Sequence, residues 1–135
     1  MDSLIVLDAS VAAAWVFDDE NSPYADAVFA LVNANDVLVP QFWHIEIRNV
    51  LLTAERQNRI DQNQAVQYLA TLTAQPIHTD EQPDLATTYY LGRSHNLSFY
   101  DAIYLETAKR RNASLATLDR RLTRAANAEG LFLVV

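Results

Sequence analysis

Leu4-Ile5-Val6-Leu7 is an unbroken apolar run that ends on Asp8-Ala9-Ser10, and it constrains the fold more than any other stretch. So short a continuous apolar segment fits a strand covered on both faces, as at the centre of a parallel sheet. In open parallel sheets ligands bind outside the carboxyl ends of the strands, and Asp8 would stand at such an end. Asp and Ser are also good helix N-caps, so Asp8 is at this point equally a cap and a functional acid. The choice turns on whether other acids reach the same edge.

Helical and strand signals alternate along the rest of the chain. Residues 11–17 fit a short buried helix, followed by the acidic turn Asp18-Asp19-Glu20-Asn21. Ser22-Pro23 pairs an N-cap with proline at the first helical position, which starts a helix running to about residue 33. Residues 37–40 form a brief strand stopped by Pro40. In the long helix expected over 41–57, Trp43, Ile47, Val50, Leu51 and Ala54 fall on one stripe. Asp61 and Gln64 have capping-box spacing and open the next helix, with Val66, Leu69 and Leu72 facing inward. A weak strand over 76–79 precedes a helix over 83–95, where Asn96 suits a left-handed C-terminal residue. Ser98 opens a helix to about residue 111, a strand covers 114–118, a helix 119–128 and a closing strand 131–135. This alternation predicts one α/β domain over residues 1–135, with a mostly parallel sheet of about five strands and helices on both faces.

Half of the 135 residues are apolar, enough for one proper core, and the absence of cysteine excludes disulfides and thiolate metal sites. The start lacks the basic segment of a signal peptide, and no apolar run approaches the roughly 20 residues of a membrane span. A soluble cytoplasmic protein is the expectation. The net charge of -7 argues against a nucleic-acid partner, but it divides unevenly, with -8 over residues 1–47 and +1 over the rest. Lys109-Arg110-Arg111 and Arg120-Arg121 with Arg124 form two basic clusters able to contact phosphates. Solvated, dipole-compatible helix ends explain them equally well.

Three more acids invite a common role with Asp8. Glu46 stands three residues beyond Trp43 and four before Val50, on the edge of the apolar stripe. A carboxylate there is costly unless paired or metal-bound, and neither Arg48 nor Arg56 lies at pairing distance along the helix. Asp101 completes an S-x-x-D capping box with Ser98, yet it also aligns with Tyr104, Leu105 and Ala108 on the inward face. Asp119 follows an apolar strand as Asp8 does, again at the start of a helix. Four converging acids without cations would raise one another's pKa values. A divalent cation removes the conflict, and oxygen-only ligands suit Mg²⁺ or Mn²⁺. Such ions activate water and stabilise charge in phosphodiester hydrolysis. Ser10 and Thr117, each two residues from an acid, are placed to orient carboxylates or water around the metal. His44, His78 and His95 have no partner at ligand spacing and read as structural. Tyr89, Tyr90, Phe99 and Tyr100 offer either base-stacking faces or core and dimer packing.

Asp8-Ala9-Ser10, Glu46 with Asn49, Tyr100-Asp101-Ala102-Ile103-Tyr104 and Leu115-Ala116-Thr117-Leu118-Asp119 together resemble the PIN-domain ribonucleases. The likeness is greatest to VapC-type toxins of bacterial toxin–antitoxin pairs and covers essentially the whole chain. It implies a metal-dependent endoribonuclease using Mg²⁺ or Mn²⁺, with Asp8, Glu46, Asp101 and Asp119 as catalytic and metal-binding acids. Asn49 would join Ser10 and Thr117 around them, with Arg120, Arg121, Lys109 and Arg110 on the RNA. It also implies a homodimer, possible higher toxin–antitoxin assemblies, and a VapB-type antitoxin over the site and the hairpin of residues 42–75. Two rivals stay open. A non-catalytic binding module would use its acids as caps, which leaves Glu46 unexplained. A phospho-acceptor receiver-like domain would need adjacent acids after the first strand and a late-strand lysine, where this chain has one acid and only Lys109.

Overall fold

Ile5, Val6 and Leu7 are all buried although neighbours in a strand point to opposite faces, so both faces of this strand are covered. The computed structural model describes residues 4–17, 22–32 and 34–134, and the acidic turn expected over 18–21 lies outside them. Among the described residues, β1 (Leu4–Leu7), β2 (Asp36–Pro40), β3 (Ile77–Asp80) and β4 (Ser114–Ala116) form one all-parallel sheet in the order β3-β2-β1-β4. The chain thus moves outward from β1 through β2 to β3, then returns to the other side of β1. The order reverses between β1 and β4, and that switch point opens a crevice at the strands' carboxyl ends.

Seven helices flank the sheet among the described residues: α1 (Ala9–Ala14), α2 (Pro23–Val32), α3 (Gln41–Arg56), α4 (Gln62–Thr73), α5 (Leu85–His95), α6 (Phe99–Arg110) and α7 (Arg120–Ala128). Helix α6 packs across β1, β2 and β4 and carries α5 and α7, while α1 touches α2 and α3. No helix is long and apolar enough to cross a membrane among the described residues. Local signals account for most helix boundaries. Ser22 Oγ accepts from Ala25 N at 3.1 Å ahead of Pro23, and Asp61 and Gln64 form the reciprocal capping box. Asn96 adopts φ 52° and ψ 45° at the end of α5.

Four expectations need correction. The closing strand, whose last residue Val135 lies outside the described residues, shrinks to one parallel bridge between Leu115 and Leu133, held by the Leu115 N–H donating to Phe132 O and the Val134 N–H donating to Leu115 O. Residues 117 and 118 leave β4 since the Thr117 hydroxyl turns to bond elsewhere, as described below. Helix α5 starts at Leu85, two residues later than expected, because Asp84 caps it by accepting from Thr87 N at 2.9 Å. Val66 is exposed rather than inward, since α4 buries only its Ala65 and Leu72 side.

Arg110, at the end of α6, fastens β3 and the start of α5 to the body. Its guanidinium meets Asp80 at 2.5 Å and Glu106 at 2.6 Å, and both acids are buried. Arg111 also reaches Asp80, at 3.0 Å. Burial alone would raise the Asp80 pKa, but the two arginines outweigh it and hold the carboxyl below its ordinary value. The stability this contributes is present above the unfolded pKa and is lost as pH falls through the folded one. Arg110→Ala leaves two buried carboxylates short of a partner. After discounting for the partly exposed guanidinium, a loss of about 2–3 kcal/mol is expected. Urea unfolding at neutral pH measures it, and a loss under half that size would reduce the cluster to surface decoration.

Candidate active site

The turns after β1 and β4 are stitched together by side-chain hydroxyls. Asp8 caps α1, and its Oδ2 accepts from Ser10 Oγ at 2.9 Å and from Thr117 Oγ1 at 2.6 Å. Each hydroxyl in turn accepts a backbone N–H of the second turn: Leu118 N donates to Ser10 Oγ at 3.1 Å and Asp119 N to Thr117 Oγ1 at 3.0 Å. The Asp8 N–H completes the seam by donating to the Ala116 carbonyl at 3.0 Å. Asp119 caps α7, accepting from Leu122 N at 3.0 Å. The capping and crevice-acid readings of Asp8 and Asp119 therefore hold together, because the strand end and the helix start are adjacent residues.

Glu46 and Asp101 come from α3 and α6, which meet through long side chains. Phe42 and Tyr100 stack with centroids 4.4 Å apart, and one turn further along both helices Tyr104 donates its hydroxyl to Glu46 Oε1 at 2.7 Å. Tyr104 has no solvent exposure. Its phenol is held far above its ordinary range, first by burial and then by the Asp8 and Glu46 charges, so it remains a donor. Tyr104 thus joins the candidate site through Glu46, a link that reading it from sequence as an inward-facing residue missed. The one available signal was its position three residues beyond Asp101 on the same helix face. Tyr24 is a second neighbour, its phenol raised by burial and by the Asp8 charge.

Asp8 and Asp101 both act on Glu46, Asp101 acts on Asp8, and Asp119 acts on Asp101. Burial raises Asp8, and Asp101 adds to it against three hydrogen bonds that oppose the shift. Burial also raises Glu46, with Asp8 and Asp101 contributing, and raises Asp101, with Asp119 contributing. None of the four is in an ion pair among the described residues. Nor do three carboxylates or imidazoles there already stand in a metal-holding arrangement. The donor set nevertheless suits a hard cation: it is oxygen-only, carries uncompensated negative charge, and Mg²⁺ is commonly held by one or two carboxylates with water completing the shell.

The other candidates divide. Ser10 and Thr117 touch Asp8 directly. Asn49 is exposed one turn beyond Glu46, beside a separate hollow of about 170 Å³ lined also by Phe17 and Thr53. Arg120 and Arg121 open α7 immediately after Asp119 and are exposed. Lys109 and Arg110 sit eight and nine residues beyond Asp101, roughly 12–14 Å along the helix. They are engaged by Glu129 at 2.5 Å and by Asp80 and Glu106, so they offer no free cation beside the acids. Among the histidines, His44 meets Thr79 Oγ1 at 2.8 Å and His95 meets Glu129 at 2.6 Å. Tyr89, Tyr90, Phe99 and Tyr100 are exposed, which excludes core packing for them.

Residues 5–128 match the PIN domain family. The chain belongs to that family. Solved structures share its PIN fold over nearly the whole length. PAE2754 from Pyrobaculum aerophilum superposes with TM-score 0.73 at 23% identity, covering 93% of this chain and 86% of that one. VapBC2 from Rickettsia felis, bound to a DNA fragment from its promoter, gives 0.66 at 14% identity, covering 97% of each chain. VapC20 of Mycobacterium tuberculosis, a sarcin-ricin loop cleaving toxin, gives 0.62 at 16%, covering 96% and 98%. No curated protein matches by sequence.

Burial of the Asp8 charge, with the Asp101 charge adding a smaller part, costs this PIN domain stability. Because folding raises the Asp8 pKa, the unfolded chain ionises first as pH climbs above about 4. Stability is then lost as pH rises through the folded pKa. Asp8→Asn keeps an acceptor for both hydroxyls and removes the charge. In chelator at pH 7.5 it should melt about 2–4 °C above the parent, with the gap closing towards pH 4. A variant that melts lower at every pH would refute this account.

Proposed function

We propose that this PIN domain is a metal-dependent endoribonuclease, acting as the VapC-type toxin of a toxin–antitoxin pair. The supporting observation is that Asp8 and Asp119 follow the two strands flanking the switch point of the sheet while the charges of Glu46 and Asp101 interact with that of Asp8, with none of the four in an ion pair among the described residues. Helix capping accounts for Asp8 and Asp119 but not for Glu46, which lies mid-helix with its carboxylate held by a buried phenol. A receiver-like phospho-acceptor has no counterpart here for its second acid and its late lysine.

Asp8, Glu46, Asp101 and Asp119 are the residues that would hold Mg²⁺ or Mn²⁺, with Ser10 and Thr117 fixing Asp8. When bound, the ion supplies Lewis acidity towards the phosphodiester and lowers the pKa of attacking water. Water adds to phosphorus, one P–O bond breaks, and the leaving oxygen takes up a proton. The proton that the water gives up and the one that the leaving oxygen takes up are exchanged with solvent, since a carboxylate that ligates a divalent cation is held ionised. Arg120 and Arg121, beside Asp119, are the cations positioned to hold flanking phosphates.

The same reading assigns a VapB-type antitoxin to the site and the hairpin of residues 42–75. Exposed Ile45, Leu52 and Val66 support it, as does a groove of about 310 Å³ between Trp15, Phe29 and Tyr68. A homodimer, within a larger toxin–antitoxin assembly, and a cytoplasmic setting complete the proposal.

Purified total RNA, incubated with Mg²⁺, with Mn²⁺ or with chelator, should yield discrete fragments only with the ions. Asp101→Asn should abolish them while leaving the fold intact, and metal-independent fragments from both proteins would overturn the assignment. Binding measured in the Asp101→Asn background tests the arginines. Arg120→Ala with Arg121→Ala should reduce the slope of log K against log salt by up to about 1.4, near 0.7 for each phosphate no longer neutralised. An unchanged slope would take both residues off the RNA path.

A further inference from the structure

Asp8 and Glu46 share an arrangement that cap geometry does not require. Each has one carboxylate oxygen engaged by a hydroxyl of the protein's own interior. On Asp8 both strong donors, Ser10 Oγ and Thr117 Oγ1, converge on Oδ2, while Oδ1 has only a 3.4 Å contact with Ser10 N. On Glu46 the Tyr104 hydroxyl takes Oε1 at 2.7 Å. The Tyr104 hydroxyl has little room to swing away. Its ring is completely buried, and the Phe42–Tyr100 stack one turn earlier fixes the register of α3 against α6.

We propose that Tyr104 is a positioning residue that confines Glu46 to ligating a cation through one oxygen, and thereby tunes the centre towards small octahedral ions and against Ca²⁺. The chemistry is a matter of coordination number. Ca²⁺ takes six to eight oxygens and readily uses both oxygens of a carboxylate, whereas Mg²⁺ demands a near-ideal octahedron at shorter distances. With one oxygen of Glu46 and one of Asp8 already committed, the site offers two single oxygens on rigid supports. A larger ion that uses the second oxygen of Glu46 must share it with the Tyr104 hydroxyl, which weakens that hydrogen bond and disfavours two-oxygen ligation. The inference rests on the proposal that Glu46 is a metal ligand.

Tyr104→Phe deletes one oxygen atom and keeps the ring that fills the core. Mn²⁺ and Ca²⁺ binding to chelator-stripped protein, titrated calorimetrically with the chloride salts, reads the effect without any RNA. The parent should prefer Mn²⁺. In Tyr104→Phe the Mn²⁺ affinity should fall roughly 10- to 100-fold, the range seen when partners of metal ligands are removed. Ca²⁺ affinity should hold or rise, so the preference narrows. Thr107→Val serves as the control, since the Thr107 hydroxyl is buried on the same helix but bonds only to the Ile103 carbonyl, at 2.8 Å. It should leave the ratio unchanged. Equal losses for both ions in Tyr104→Phe, or an unaltered ratio, would overturn the positioning role while the metal centre stands. A parent protein that binds Ca²⁺ as tightly as Mn²⁺ would overturn it without reference to any variant. A parent that binds neither ion would remove the proposed centre, and this inference with it.

Discussion

Two hydroxyls converging on Asp8 Oδ2 hold the functional edge of this molecule together. One belongs to Ser10 in the same turn, the other to Thr117, which is 109 residues away in the chain. Because each hydroxyl also accepts a backbone N–H from residues 118 and 119, the ends of β1 and β4 are locked at a fixed separation. Removing a buried hydrogen-bonded partner leaves the other group unsatisfied at a penalty larger than the bond's own net worth. The seam is therefore stiff, and it fixes where Asp8 and Asp119 stand before anything binds.

The sheet order determines why the seam lies where it does. The chain builds outward from β1 in one direction and returns to its other side, so β1 and β4 are neighbours whose following helices diverge. That divergence leaves room at the carboxyl ends of the two strands, and both strands deliver an acid there. Helices α3 and α6 then bring Glu46 and Asp101 alongside through two matched contacts, the Phe42–Tyr100 stack and the Tyr104–Glu46 hydrogen bond. Packing of the apolar faces thus brings like charges into proximity.

How much of this was legible in the chain depends on how local each cause is. Asp8 and Asp119 stand out because an apolar run ends on each of them, and Glu46 because a carboxylate interrupts the edge of an otherwise apolar stripe. The caps at Asp61, Ser98 and Asn96 are equally local and equally readable. Tyr104 is not, since a tyrosine on an inward helix face looks like core until the partner 58 residues away is known. Lys109 looks like a free cation for the same reason, since its partner Glu129 lies 20 residues off, whereas Arg110 has one legible partner four residues back in Glu106 and one, Asp80, that only folding reveals. The closing strand fails differently. Its apolar composition is right, but only Leu133 forms a bridge, to Leu115, and composition does not show how many residues will pair.

On the proposed reading, capping and metal binding are complementary demands on the same carboxylates. A cap uses one oxygen and draws the acid towards the positive end of a helix, which offsets part of the repulsion from its neighbours. Asp119 gives one oxygen to Leu122 N, Asp8 gives one to two hydroxyls, and Glu46 gives one to a phenol. In each case the interior satisfies one side of the carboxylate and supports the fold without a cation. On Asp8 the other oxygen keeps only the 3.4 Å capping contact with Ser10 N, and on Glu46 and Asp119 it has no hydrogen bond among the described residues. Full neutralisation by arginine or lysine would make the fold more stable and leave nothing for a divalent ion to complete. The partial satisfaction seen here is what an acidic centre needs if it is to fold first and bind an ion afterwards.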